Sequence, residues 1–119
     1  MLNLDTHILI YALAGTLSKK EKLILENSLW CISGIVLWEL TKLSQLGKVK
    51  IDLDSRKVKS LLSNIEVLPI NLQVCRALNK LDFKSDPADE IIAATSIANK
   101  IPLLTRDKLI KTSKVLMLV

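Results

Sequence analysis

Four carboxylates carry the chemistry this sequence can offer: Asp5, Glu39, Asp89 and Asp107. Asp5 ends the run MLNLD and Asp107 ends PLLTRD. Both runs read as short buried strands, so both acids fall at or just past a strand's carboxyl end. In open parallel sheets, sites form in the crevice beyond those ends, where strand order reverses. Asp89 lies in the first turn of a helix predicted from DPADEIIAATSI, residues 86 to 97, and can face the same crevice. Glu39 lies in an otherwise apolar helix that follows a strand. Two unit charges roughly 4 Å apart interact by about 4 kcal/mol at an effective dielectric of about 20. Four gathered carboxylates therefore repel one another and shift upward in pKa. A hard divalent cation reverses that penalty. Mg2+ and Mn2+ prefer oxygen ligands, keep several waters and commonly bridge to substrate phosphate. The matching chemistry is metal-assisted hydrolysis of a phosphodiester, in which the metal acidifies a bound water and neutralises charge on the phosphoryl group.

Each acid also has a plainer role open to it. Asp86 and Asp89 read as a capping pair, with Asp86 at the N-cap, Pro87 at the first helical position, and Asp89 reaching back to the cap's own N–H. Asp5 reads equally as a strand-end turn residue or a cap for the following helix, Glu39 as a solvated helix residue, and Asp107 as the cap of a last short helix.

The elements that would position these acids alternate. Residues 1 to 5 predict a strand, and 6 to 14 a helix with Thr6 as a possible cap and Gly15 as its stop. Ser18 and Glu21 stand in capping-box spacing at the head of a second helix. LWCI, residues 29 to 32, predicts a strand, and Ser33 the cap of a helix that Gly47 ends. Leu37, Leu40, Leu43 and Leu46 form its expected core stripe, with Trp38 packed in the core. A helix over 55 to 64 should turn Val58, Leu61 and Leu62 inward, and EVLPI should form a short strand at an edge. Asn71 should cap a helix over 71 to 81 that buries Leu72, Val74, Cys75, Leu78 and Leu81. From Ile91 the next helix is apolar or small on nearly every face, the mark of a buried helix. KVLMLV reads as a last strand. Strands alternating with helices predict an α/β fold around a mostly parallel sheet.

The chain has 119 residues, which fits a single domain spanning 1–119. Half the residues are hydrophobic but only 3% aromatic, so the core must be aliphatic. Seventeen Lys and Arg against twelve Asp and Glu give a formal charge of +5, which permits an anionic partner such as nucleic acid without specifying one. Cys31 and Cys75 lack metal-like spacing and read as free buried thiols of a reducing compartment. ILIYALA, residues 8 to 14, is too short to span a bilayer, and no basic segment leads into a long apolar run. No membrane association and a cytoplasmic location are expected.

At four stretches the residues also match a known family. LDTHILIYAL at 4 to 13, ISGIVLWEL at 32 to 40, DPADEIIAATSIA at 86 to 98 and LLTRD at 103 to 107 resemble PIN-domain ribonucleases of the VapC toxin type in order and spacing. The resemblance implies a three-layer α/β/α sandwich with a parallel sheet and a Mg2+/Mn2+-dependent endoribonuclease that cuts RNA. It further implies the toxin half of a toxin–antitoxin pair, a VapB-type antitoxin covering the active site, and often a homodimer. By that match Asp5, Asp89 and Asp107 hold metal directly or through water, and Glu39 holds metal or orients the attacking water. Thr6, Ser33 and Thr105 match polar positions that support the acids, and Asp86 matches a common family position behind the ligands. One position departs. The family often has a basic residue directly after the second acid of the DPxD stretch, and here it is Glu90, which adds negative potential and bears on substrate binding. The alternative is a non-catalytic PIN-fold module that binds RNA or protein; a nuclease acting on structured DNA is a third reading.

Other residues invite weaker roles. His7 lies two residues from Asp5 but reads as a crevice-rim residue rather than a base. Tyr11 and Trp30 could stack bases. Arg106 and Lys108 flank Asp107 and are the expected phosphate contacts, with Lys48 and Lys50 along an RNA path. Residues 6 to 14 and the second helix, with Leu17 and Leu23, are expected to clamp a partner helix.

Overall fold

Local chemistry sets most helix starts in the computed structural model, which describes residues 1–119. Ser18 accepts from the Glu21 N–H while Glu21 accepts from the Ser18 N–H, closing the capping box of α2 (Lys19–Glu26). Ser33, Ser55 and Asn71 cap α3 (Gly34–Gln45), α4 (Arg56–Ser63) and α5 (Leu72–Ala77) through side-chain oxygens. Gly15 ends α1 (Thr6–Ala14) in the left-handed region at φ 74°, where a side chain would be strained. The first helix keeps its expected bounds, but Asp5, not Thr6, holds the N-cap position, and makes no side-chain capping bond.

The strands β1 (Leu2–Leu4), β2 (Trp30–Ser33), β3 (Glu66–Leu68) and β4 (Leu103–Leu104) form one parallel sheet in the order β3-β2-β1-β4. The chain runs outward from β1 to β3, then crosses through α6 (Pro87–Asn99) to lay β4 on the other side of β1. Strand order thus reverses between β1 and β4, which places the crevice of a parallel sheet at the end of β1. The sheet is flanked by helices, the α/β sandwich expected.

Side chains alternate along β1. Leu2 and Leu4 join a core of Ile8, Leu9, Ile32, Leu40, Ile92 and Leu103. Asn3 points the other way, where its amide donates to the Ile92 carbonyl at 3.1 Å and the Ser96 hydroxyl at 2.9 Å. Those two bonds dock α6 on β1. Val74 and Ala77 of α5 pack on Ala94, so the outer face of α6 is covered as well.

Several expectations fail for reasons of facing. The buried face of α3 runs through Val36 and Leu40. Trp38 lies two residues on, about 200° round the helix, and is 55% exposed rather than core. Leu46, at the helix end, is likewise exposed. The helix expected over 71 to 81 shortens to α5 plus a 3-10 turn, Leu78–Lys80. Val74 and Ala77 take the buried face of α5, which leaves Leu72 and Cys75 exposed, so only Cys31 is a buried thiol. The last strand reduces to one bridge, Leu103 with Leu118. Upstream of it, Asp82 fixes the tail by accepting from the Ser113 hydroxyl and the Lys114 N–H. No helix is long and apolar enough to cross a membrane.

Candidate metal centre

Asp5 stands where β1 ends and is 3% exposed. Its N–H donates to the Leu104 carbonyl, continuing the pairing with β4 by one residue. One carboxylate oxygen, Oδ2, accepts the Thr105 hydroxyl at 2.6 Å; the other, Oδ1, is buried with no partner. Burial pushes this carboxyl up from its ordinary pKa, and the charge of Glu39 adds to the push. The Thr105 bond and His7 work in the opposite direction without cancelling it. A buried anion with an unfilled oxygen is costly unless a cation or donor completes it.

Thr105 links two acids. Its hydroxyl donates to Asp5, and its oxygen accepts from the Asp107 N–H at 3.0 Å. Asp107 itself lies past β4, where Oδ1 accepts from the N–H of Ile110, the first residue of a 3-10 turn, Ile110–Thr112. The plainer capping role expected of Asp107 therefore takes one oxygen and leaves the second.

Asp89 sits in the first turn of α6, half-buried. Burial raises its pKa, opposed by a Ser85 hydrogen bond and reinforced by the charges of Asp5, Asp107 and Asp86. The charges of Asp5, Asp107 and Asp86 thus all reach Asp89 at the switch point. The expected capping box does not form. Asp86 holds the N-cap position with no side-chain bond, and Asp89 Oδ2 accepts the Ser85 hydroxyl at 3.0 Å instead of the Asp86 N–H.

Glu39 is half-buried on α3, near enough to act on Asp5. Ser33 is fully buried, but its oxygen serves the Ile35 N–H at 3.3 Å. Thr6 is fully buried and its hydroxyl has no partner. No three acidic side chains are drawn together as a ready-made set of direct ligands. The donors nevertheless suit a hard cation that keeps its waters: all are oxygens, two of the carboxyls are held above their ordinary range, and Asp5 Oδ1 lacks any partner. Asn3 and Ser85 were not legible as site residues. Their only sequence marks are an Asn inside an apolar strand, two residues before Asp5, and a Ser ahead of the DPAD stretch.

Arg106 does not extend toward the acids. Its guanidinium grips Glu21 through two bonds, Nε to Oε2 at 2.7 Å and Nη2 to Oε1 at 2.6 Å, and lies 3.9 Å from the centre of the Tyr11 ring. The expected phosphate contact and the expected base-stacking Tyr11 are thus both committed to holding α2 against α1. Lys108 is exposed. This ion pair holds Glu21 down at about 2, against an ordinary 4.5. A depressed acid contributes stability that is complete above its unfolded pKa and is lost as pH falls toward the folded value. The expected outcome is a melting temperature that drops between pH 4.5 and about 2, with a shallower drop in Glu21→Gln; equal slopes in thermal melts would show that the pair is screened out.

The family model described as PIN domain matches residues 3–113. A comparison with curated proteins finds no match. Among solved structures, the chain is similar to one in the crystal structure of VapBC2 from Rickettsia felis bound to a DNA fragment from their promoter. That match has a TM-score of 0.75 and 24% identity over 100% of this chain and 98% of the other. It is also similar to a chain of a toxin–antitoxin complex from Klebsiella pneumoniae, with TM-score 0.72 and 21% identity over 100% and 96%. A third match is to DNA-bound VapBC from Salmonella typhimurium, with TM-score 0.72 and 19% identity over 99% and 96%. At these identities the structural likeness speaks for the fold, and the family model for descent: this chain belongs to the PIN domain family.

Proposed function

We propose that the protein is a Mg2+- or Mn2+-dependent endoribonuclease, the toxin of a VapBC-type pair, acting in the cytoplasm as a homodimer with a VapB-type antitoxin as partner. The observation that carries the reading is Asp5: a buried carboxylate with one oxygen fixed by Thr105, the other unpartnered, and Asp89 and Glu39 within electrostatic reach. Asp5, Asp89 and Asp107 would hold the ion directly or through water. When bound, such an ion acidifies a water and offsets charge on the phosphoryl group. Glu39 is left to orient the attacking water and take its proton. Thr105 keeps Asp5 aimed, and Ser85 does the same for Asp89. The net charge of +5 favours association with an RNA backbone.

The toxin assignment draws on the Rickettsia felis and Klebsiella pneumoniae complexes, which this chain resembles over its whole length. A groove of about 470 Å3 suits an antitoxin segment. It is lined by Ile10 and Leu13 of α1, Val49 and Ile51 of the loop after α3, and Val58 of α4, with Lys50 and Lys57 beside them. It lies between α1 and α4 and shares α1 with the α1–α2 clamp expected from the sequence.

The test is cleavage of a structured RNA pool by the purified protein, freed of any co-purified antitoxin. Cutting is expected with Mg2+ or Mn2+ and should stop with chelator. Cutting that persists in chelator overturns the metal role. No cutting of RNA with metal, beside tight RNA or antitoxin binding, shifts the assignment to a PIN-fold binding module; cutting of structured DNA alone shifts it to a DNA nuclease.

A further inference from the structure

The residue that departs from the family pattern, Glu90, has a specific partner. Its Oε2 accepts the Ser85 N–H at 2.9 Å. The same Ser85 donates its hydroxyl to Asp89 Oδ2 at 3.0 Å. Ser85 is therefore held from both ends, by its amide on Glu90 and by its hydroxyl on Asp89. All three side chains are half-buried, where a fixed hydrogen bond resists exchange with water better than at an exposed surface.

The arrangement displaces a capping box by one residue. In the ordinary box the acid at the third helical position reaches back to the N-cap N–H. Here that acid is Asp89 and the cap is Asp86, and the bond is absent. The acid one position later, Glu90, reaches back to the amide one position earlier, Ser85. The entry of the chain into α6 is thereby fixed without the Asp86 carboxylate and with only one oxygen of Asp89. A lysine or arginine at position 90 has no acceptor and could not do this.

We infer that Glu90 is a positioning residue: by anchoring Ser85 it orients Asp89, whose Oδ1 is left for the acid cluster together with the Asp86 carboxylate. The inference rests on the metal-site reading proposed above. It also recasts the added negative charge, which is spent on a backbone amide rather than directed at substrate.

The test compares the full-length protein with Glu90→Ala, Glu90→Gln and Ser85→Ala. Mn2+ affinity is read from titration followed by electron paramagnetic resonance, and Ser85 amide exchange and the Asp89 carboxyl carbon shift are read by NMR in metal-free protein. Loss of groups behind metal ligands typically weakens metal binding by about 10- to 100-fold. Glu90→Ala is expected to fall near the lower end of that range, with faster Ser85 exchange and a moved Asp89 signal. Glu90→Gln keeps an acceptor oxygen and should restore all three readouts. Ser85→Ala keeps the amide and loses the hydroxyl, so it should weaken Mn2+ binding as Glu90→Ala does, even if the latter folds poorly. Glu90→Gln behaving like Glu90→Ala would assign the effect to charge and overturn positioning. So would wild-type Mn2+ affinity in both alanine variants. If the wild type itself binds no Mn2+, the metal reading fails, and an Asp89 signal unmoved by Glu90→Ala then overturns the positioning role separately.

Discussion

Asp5→Asn is expected to lower RNA cleavage by more than about a hundredfold, because removing only the groups behind metal ligands already costs about 10- to 100-fold. The variant should fold. An asparagine amide oxygen can still accept the Thr105 hydroxyl that now reaches Asp5 Oδ2 at 2.6 Å, and the buried volume is unchanged. What it loses is the negative charge and the second ionic oxygen, Oδ1, the atom for which the protein supplies no partner. Thr105→Val makes a graded companion: it keeps the Asp5 charge but frees its orientation and leaves the Asp107 N–H without its acceptor. A drop of about tenfold, chiefly in the Mn2+ concentration needed for half-maximal rate, is expected. Rates measured across Mn2+ concentration for both variants give the answer. An Asp5→Asn enzyme as fast as wild type would remove Asp5 from the chemistry, and with it the observation on which the assignment stands.

The legible parts of this fold were local or periodic. Ser18 with Glu21, Ser33 and Asn71 could be read as caps because a capping side chain acts on an amide two or three residues away. The strand-end positions of Asp5 and Asp107 followed from short apolar runs, and the parallel sheet followed from their alternation with helices. What sequence could not settle was the competition between equivalent local bonds. Within one turn of α6, both Asp89 and Glu90 could reach back to an amide; Glu90 took Ser85's, and Asp89 took a hydroxyl instead. Facing was the second failure. Trp38, Leu72 and Cys75 sit on helices with apolar residues on more than one side, and only the neighbours decide which side is covered. Distance was the third. Arg106 meets Glu21 across 85 residues and Asn3 meets Ser96 across 93, and neither pairing has a periodicity to betray it. The loss of Arg106 as a phosphate ligand and the gain of Asn3 as the dock of α6 both come from that long-range class.

Neutralising one acid should stabilise the metal-free protein, the reverse of the usual cost of mutating a buried residue. Folding raises the pKa of Asp5 and of Asp89 above the ordinary 3.8, by burial first and then by the neighbouring carboxylates. For an acid raised in this way, the folded state binds the proton more tightly than the unfolded state. Its contribution favours folding below pH 3.8 and is lost as pH rises through the folded pKa, so at neutral pH each such charge works against the fold. Asp5→Asn removes that charge while keeping the Thr105 bond, and a rise of about 2–5 °C in melting temperature at pH 7 with chelator is expected for a chain of this size. Asp89 is only half-buried and its charge better solvated, so Asp89→Asn should gain less. The wild type without metal should lose stability as pH rises above 3.8 toward neutrality, opposite in sign to the Glu21 effect, which acts only below pH 4.5. Adding Mn2+ should reverse the order of the two proteins, because a ligand that binds only the folded state stabilises in proportion to the logarithm of its concentration over Kd. The crossing is the informative result. A destabilised Asp5→Asn in chelator, together with a wild type whose melting temperature ignores Mn2+ and does not fall as pH rises above 3.8, would mean that the acids do not oppose one another. The physical reason for a cation between them would then be gone, whatever the fold resembles.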